Sequence, residues 1–285
     1  MAVSRVMPHA ADILPLLAAY VIPVGDAERA EGPYNVVLDC AGALSHVSSR
    51  CGYVELTRSG AEHYAGCTQP VWMVDAGKIK QIETCLGTGE SFFRALASLG
   101  FNDWHGKTLV VIGYGKVGRG IVLHALNNQV RVLVADTDEI RPPSPAVSFL
   151  RATDGAALSH AVKQAFCAVT ATGRRHALSN LIDPALPCSS GVLLANMGVE
   201  DEWGPSIPKN RILNEGRPLN FILLDPTQMC YIDPPLALHN QGAVELAAGR
   251  GKAGLFPPPP ETEEYFLSLV RSGGIIPEQL LDSIS

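Results

Sequence analysis

The sequence predicts an α/β chain built on a doubly wound parallel sheet, and three observations carry that prediction. The apolar run Thr108-Leu-Val-Val-Ile112 breaks into Gly113, Gly115 and Gly118 where a helix opens. A second apolar run, Val130-Arg-Val-Leu-Val-Ala135, follows and ends in Asp136. Further short apolar runs, Ala165-Phe-Cys-Ala-Val-Thr170, Val192-Leu-Leu-Ala-Asn196 and Asn220-Phe-Ile-Leu-Leu224, alternate with helical stretches and read as additional parallel strands.

The elements follow in order. Residues up to about Ala30 contain a short helix. Its apolar segment Ile13–Ile22 is short, contains Pro15 and has neither a basic leader nor a small-residue cleavage pattern, so it reads as neither a signal peptide nor a membrane span. Asn35-Val-Val-Leu-Asp39 is a buried strand ending in an acid and a small-residue turn, and Val71-Trp-Met-Val-Asp75 is another. Gly87-Thr-Gly-Glu-Ser91 opens a helix through Phe92, Phe93, Leu96 and Leu99. Gly251 to Pro260 ends in four prolines, which exclude regular helix or central strand and predict an exposed extended connection; a short helix after Glu261 closes the chain. The expected organisation is a substrate domain over 1–86, a dinucleotide domain over 87–226 and a return to the substrate domain over 227–285.

The glycine-rich turn carries the chemistry. Gly113 permits a tight turn after the strand, Gly115 lets main-chain N–H groups approach a pyrophosphate, and Gly118 lets the helix pack closely on the sheet. The N–H groups at Lys116 and Val117 then sit at a helix N-terminus, where phosphate charge is favoured. Asp136, at the end of the next strand, is placed to accept both ribose hydroxyls. Thr137 follows it and Arg131 lies earlier on the strand, so no basic residue stands directly after Asp136 to receive a 2′-phosphate; NAD is preferred to NADP. The plainer alternative is a structural turn in an α/β sheet. Order of turn, strand and acid favours the Rossmann-type reading.

Composition narrows the partners. Lysine and arginine number 22 against 28 acidic residues, a formal charge of −6, which offers no general attraction to nucleic acid. The seven cysteines, Cys40, Cys51, Cys67, Cys85, Cys167, Cys188 and Cys230, include no C-x-x-C pair, which fits reduced thiols in the cytoplasm. The histidines show no metal-ligand spacing with acids or cysteines, so no metal is expected.

From Asn35 to Glu245 the order of motifs resembles the S-adenosylhomocysteine hydrolase family. Asn35-Val-Val-Leu-Asp-Cys-Ala-Gly-Ala-Leu44 resembles the family's strand and Asp-Asp-Gly-Gly-Asp-Leu turn, and Glu55-Leu-Thr-Arg-Ser-Gly60 its Glu-Glu-Thr-Thr-Thr-Gly segment. Leu86-Gly-Thr-Gly-Glu-Ser91 is similar to the entrance to its cofactor domain. Ala171-Thr-Gly173 resembles the Thr-Thr-Gly turn near the nicotinamide, Ala195-Asn-Met-Gly198 the Asn-Ile-Gly turn, and Asn214-Glu-Gly-Arg-Pro-Leu-Asn220 the Glu-Gly-Arg-x-x-Asn segment. His239-Asn-Gln-Gly-Ala-Val-Glu-Leu246 looks like the helix that returns to the catalytic domain.

The resemblance implies a bound NAD that oxidises a ribose hydroxyl, so that the neighbouring carbon becomes acidic and a β-substituent is eliminated or added. It assigns Glu55 to the substrate hydroxyl, and Thr172, Gly173, Asn196, Met197, Gly198, Asn220 and Asn240 to the cofactor. The sequence also departs from the family. The second aspartate of the Asp-Asp turn is Cys40, although Asp39 keeps the first; the catalytic lysine falls on Ile79, leaving Lys78 or Lys80 to supply an ammonium; Glu83 and Thr84 replace the Asp-Asn pair; Val199 stands for a histidine. The segment before Asn35 is read as too short for the family's histidine-bearing substrate domain, and the ending Leu280–Ser285 as lacking its basic tail. Asp225, Asp233 and His239, between prolines, form either a hinge that reads substrate or a proline-shaped domain crossing.

The expected activity is oxidation of a hydroxyl on a small nucleoside-, sugar- or amino-acid-like substrate by NAD, in a homo-oligomer, with Glu55, Asp39 and one of Lys78 and Lys80 at the site. A non-catalytic NAD-binding partner of a pathway enzyme and a divergent hydrolase remain as alternatives.

Overall fold

The computed structural model describes residues 2, 13–183, 185 and 191–284; Cys188 lies outside them. The chain divides into two compact units, Met1–Lys80 with Pro235–Leu269, and Gln81–Pro234 with Val270–Ser285. The second is thus inserted in the first. The units change at 80 and 234, against the sequence boundaries at 86 and 226, and residues 270–285 count with the second unit.

The first unit holds a parallel sheet of β1 (Val37–Asp39), β2 (Tyr53–Glu55), β3 (Pro70–Met73) and β9 (Gly254–Phe256), in the order β1-β2-β3-β9. Short apolar strands buried on both faces are what a parallel sheet requires. Val37, Val47, Tyr53, Tyr64, Val71 and Met73 make one core, while Trp72 meets Phe256 edge to face at 5.8 Å. Two findings modify the sequence expectations. Tyr53–Glu55 is a full strand, and the stretch before the prolines pairs with β3 as an edge strand, the one position in a sheet that a neighbouring proline run leaves open.

Among the described residues the second unit has five parallel strands, β4 (Thr108–Ile112), β5 (Arg131–Asp136), β6 (Val147–Arg151), β7 (Cys167–Thr170) and β8 (Leu193–Asn196), in the order β6-β5-β4-β7-β8. Chain order reverses between β5 and β7, on either side of β4, and doubly wound sheets bind ligands at the carboxyl ends of their strands at such a switch point. The apolar run expected as a last strand at 220–224 is instead a 3-10 turn over Leu219–Ile222. Pro218 supplies no N–H before it, the Leu223 N–H closes on the Asn220 carbonyl at 3.1 Å, and Leu224 is 98% exposed, so this run buries too little to join the sheet.

Among the described residues the helices are α1 (Ile13–Ala19), α2 (Ile79–Gln81) continuing as a π-helix over Ile82–Gly87, α3 (Thr88–Ser98), α4 (Lys116–Asn127), α5 (Gly155–Gln164), α6 (Met229–Ala247), α7 (Pro260–Gly273) and α8 (Glu278–Asp282). Helix α6 runs through Pro234 and Pro235, where the units change, so the proline-rich stretch after Gln228 is helical. Gly89 on α3 faces Gly120 on α4, where an added Cβ would lie 2.4 Å from the Gly120 carbonyl carbon. That pair lets the two helices approach to main-chain distance. Among the described residues, no helix is long and apolar enough to cross a membrane.

Candidate functional site

In the second unit the site grows from the end of β4. Leu109, Val110, Val111 and Ile112 are buried on both faces, which fixes the strand centrally and delivers Gly113 to the carboxyl edge. Gly113 adopts φ +97°, and a Cβ there would sit 2.6 Å from the Ala171 carbonyl oxygen. Only glycine tolerates both constraints. At Gly118 a Cβ would lie 1.9 Å from the Gly113 carbonyl oxygen, so helix α4 packs directly on its own turn. Gly115 differs from both. It has ordinary φ and open space where a Cβ would stand, and it caps α4 with no side-chain hydrogen bond. The first N–H groups of α4, at Lys116 and Val117, therefore begin behind a residue whose missing side chain leaves room for a ligand.

Asp136 closes this corner. Its Oδ2 accepts the Tyr114 N–H at 2.6 Å and its Oδ1 the Asp138 N–H at 3.0 Å. The carboxylate thus stands at the glycine turn itself, as the sequence expected of a group that reads the ribose next to a pyrophosphate. These features fit a dinucleotide on the chemistry of the residues: a glycine with open space before it, a helix N-terminus, and a carboxylate acceptor beside them.

On the far side of β4 the resemblance-derived residues are present but bound up within the fold. Asn196 is fully buried; its Oδ1 accepts the Thr170 hydroxyl at 2.8 Å, and its Nδ2 donates to the carbonyls of Gly198, Glu200 and Gly216 at 2.9, 2.9 and 2.7 Å. It ties β7 and β8 to the 213–216 turn. Met197 is a core side chain, and Asn220 is buried with Nδ2 3.3 Å from the Pro226 carbonyl. Asn240 lies on α6 in the first unit and is exposed.

Glu202 is the residue that sequence reading missed. Fully buried, it accepts the Thr172 N–H at 2.7 Å and the Gly173 N–H at 2.8 Å, holding the turn after β7, and the Gly198 Cα leaves room for it. Burial pushes its carboxyl above the ordinary range, against the pull of those hydrogen bonds. No motif marks it, because its partners are main-chain groups about thirty residues away.

The first unit gathers a buried polar cluster at the carboxyl ends of β1 and β2. Glu55 is 0% exposed. One oxygen accepts the N–H groups of Ala41 and Thr57 and the Thr57 hydroxyl, at 3.0, 2.7 and 2.6 Å; the other accepts the Gly42 N–H at 3.1 Å. Both oxygens are spent on building the turn, and Gly60 packs against the carboxyl where any Cβ would collide. Asp39 accepts the N–H groups of Cys40 and Leu44 at 2.7 and 3.0 Å and the Tyr64 hydroxyl at 2.6 Å. Burial, then that hydrogen bond and the carboxylate charges, holds the Tyr64 phenol far above its usual range.

Of the two candidate lysines, Lys78 is exposed and Lys80 is 3% exposed. Lys80 and Asp39 both act electrostatically on His239, whose Nε2 lies 2.8 Å from the Val54 carbonyl. Burial is the chief cause that holds His239 below its ordinary pKa, Lys80 adds to it, and the main-chain bonds and Asp39 oppose it. The ring is therefore neutral near pH 7, donating from Nε2. An apolar cavity of about 280 Å³ beside β1, lined by residues such as Tyr34, Val37, Leu44 and Val47, contains none of these groups.

No family model matches the chain. It is similar to the S-inosyl-L-homocysteine hydrolase of Methanothermobacter thermautotrophicus, 28% identical over 197 residues, or 69% of this chain and 44% of that protein. The adenosylhomocysteinase of Thermotoga maritima is 33% identical over 130 residues, 45% of this chain and 31% of that one. The chain thus spans less than half the length of these relatives. Among solved structures, the TT0316 protein from Thermus thermophilus aligns at TM-score 0.39 and 16% identity, covering 73% of this chain and 75% of that one. The NAD-dependent formate dehydrogenase from Staphylococcus aureus in complex with NAD aligns at TM-score 0.37 and 11% identity, covering 70% and 69%.

Proposed function

We propose, on the premise that the chain is a distant relative of the S-adenosylhomocysteine hydrolases, that it binds NAD through its second unit and oxidises a hydroxyl of a small metabolite. The observation that carries the reading is the corner formed by Gly113, the open space at Gly115 where α4 begins, and the Asp136 carboxylate. Lys116 and Val117 offer main-chain N–H groups to the diphosphate, and Asp136 exchanges its Tyr114 contact for the ribose diol. When bound, NAD supplies the hydride acceptor.

The chain's own groups divide the remaining work. Lys80, buried and close enough to act on His239, is the ammonium that stabilises a developing alkoxide and handles its proton. Asp39 lines the same buried cluster, its oxygens fixed by Tyr64 and two main-chain N–H groups, and acts with Lys80 on His239. Glu55 acts as a positioning residue, holding the 40–42 turn through which Asp39 is oriented. The substrate class is a nucleoside-, sugar- or amino-acid-like alcohol, the compartment is the cytoplasm, and the working form is a homo-oligomer.

A second reading, an NAD-binding chain without turnover, is favoured by one observation: the side chains of Glu55 and Asn196 that match the family's site are consumed within the fold. Titration calorimetry with NAD tests the shared premise, and a folded, cofactor-free sample that takes up no NAD refutes both. Incubation with candidate secondary alcohols, followed by NADH absorbance, separates them. Turnover that disappears in Lys80→Met and persists in Lys78→Met supports the enzyme; NAD uptake without NADH under every alcohol supports the binder.

A further inference from the structure

We infer that a second anion position lies beside Asp136, built on Arg151, which takes a phosphate on the 2′-oxygen of the adenine ribose. The inference rests on the dinucleotide reading above and deepens it. In sequence the place that usually carries a basic residue for this phosphate holds Thr137. The fold supplies the charge from elsewhere. Strands β5 and β6 pair in parallel with Asp136 directly opposite Arg151, so the two side chains leave the same face of the sheet at neighbouring positions.

The guanidinium is also held in place. Arg151 Nη1 donates to the Thr137 carbonyl at 2.8 Å, docking the charge on the residue that follows Asp136. Its Nη2 lies 3.7 Å from Glu139 Oε2, but that carboxylate is 81% exposed and Arg151 itself is 53% exposed. An exposed pair of this kind is weak, so the arginine keeps most of its attraction for a stronger anion. A planar fork with donors to spare matches a phosphate.

Two opposed charges therefore decide which dinucleotide is held. Asp136 accepts from a free 2′-hydroxyl and repels a 2′-phosphate, while Arg151 does nothing for the hydroxyl and attracts the phosphate. With Asp136 present the balance favours NAD. Removing that one carboxylate leaves the arginine to decide.

The test measures dissociation constants for NAD and NADP by calorimetry, with 5′-ADP and 2′,5′-ADP as fragments that carry only the discriminating end. The proteins are wild type, Asp136→Ser, Asp136→Ser/Arg151→Ala and Arg151→Ala. We expect Asp136→Ser to raise the affinity for NADP relative to NAD by about ten- to a hundredfold, the range set by one new charge-assisted hydrogen bond together with relief of one repulsion. Adding Arg151→Ala should remove the share of that gain supplied by the arginine, about tenfold, keep the share due to relief of the repulsion, and leave NAD binding where Asp136→Ser left it. Arg151→Ala alone, at a half-exposed position that costs the fold little, should weaken 2′,5′-ADP by about tenfold and leave 5′-ADP unmoved.

The proposal is overturned if Asp136→Ser gives no relative gain for NADP, if that gain is undiminished by loss of Arg151, or if Arg151→Ala weakens both fragments alike. Wild type that binds NAD while Arg151 proves indifferent sinks this proposal alone. Folded wild type that binds neither dinucleotide refutes the cofactor reading beneath it as well.

Discussion

Two glycines three positions apart in the same turn answer differently to one added methyl group. At Gly118 the methyl carbon of Gly118→Ala would lie 1.9 Å from the Gly113 carbonyl oxygen, where ordinary contacts begin near 3.4 Å. Neither partner is a flexible side chain, so α4 or the turn must move, and overpacking of that kind costs roughly 1–3 kcal/mol. For a unit of this size that is a fall of roughly 2–12 °C in melting temperature. At Gly115 the φ is ordinary and no atom stands within 4 Å of the new carbon. Loss of glycine at the helix cap and gain from a less flexible unfolded chain oppose each other at about 0.5 kcal/mol each, so Gly115→Ala should melt within a degree or two of wild type. Its methyl nevertheless enters the open space to which the proposed diphosphate is assigned. Differential scanning calorimetry of the apo proteins, paired with NAD titration, should show Gly118→Ala destabilised, and Gly115→Ala stable but weakened for NAD by tenfold or more, about the worth of one charge-assisted hydrogen bond. If Gly115→Ala binds NAD as wild type does, or melts as low as Gly118→Ala, the assignment of the phosphate to this corner is wrong.

Other outcomes follow from the buried polar groups. Glu202 has a raised pKa in the folded chain, so its contribution is greatest below the ordinary carboxylate value of 4.5 and is lost as pH rises through the folded value. Glu202→Gln, which keeps one acceptor for two N–H groups, should be less stable by about 1–3 kcal/mol near pH 4, with the deficit narrowing toward neutrality; urea midpoints across that range show a constant gap if Glu202 does not titrate there. His239 is held below its ordinary 6.5, so the unfolded chain binds the extra proton and stability falls as pH drops beneath 6.5. His239→Asn should flatten part of that slope, leaving the share due to His124, which burial also lowers; an unchanged slope contradicts the neutral imidazole. Acetylation footprinting should modify Lys78 readily and Lys80 only after unfolding, and equal labelling of the native protein would contradict the burial of Lys80.

What the sequence revealed is what repeats with a period or sits at a fixed offset. The strand, the three glycines and Asp136 lie within one βαβ stretch, and their spacing alone foretold that the turn and the carboxylate meet at one corner. The buried strands around Val111, Val169 and Ala195 were legible for the same reason, since apolar runs bounded by turns report burial directly. The run at 220–224 misled because apolar content does not show where a chain loses its neighbour: Pro218 and the Asn220 carbonyl close a turn there. Choosing between Lys78 and Lys80 required knowing that α2 begins at Ile79, which turns Lys80 inward. Glu202 and Arg151 were invisible for a third reason. Each acts on main-chain groups that are distant in sequence, Thr172 and Gly173 for one and Thr137 for the other, and only the strand register brings them together.

The insertion of one unit within the other has a consequence for synthesis. Strand β9, which completes the first sheet, leaves the ribosome only after residues 81–234 of the second unit, and residues 270–285 of that unit emerge later still. Neither half can finish from a contiguous nascent stretch, so β3 waits with an open edge while more than half of the polypeptide is made. Each unit thus depends on a tail that arrives after its neighbour, and a chain cut short anywhere before Gly254 would leave both incomplete.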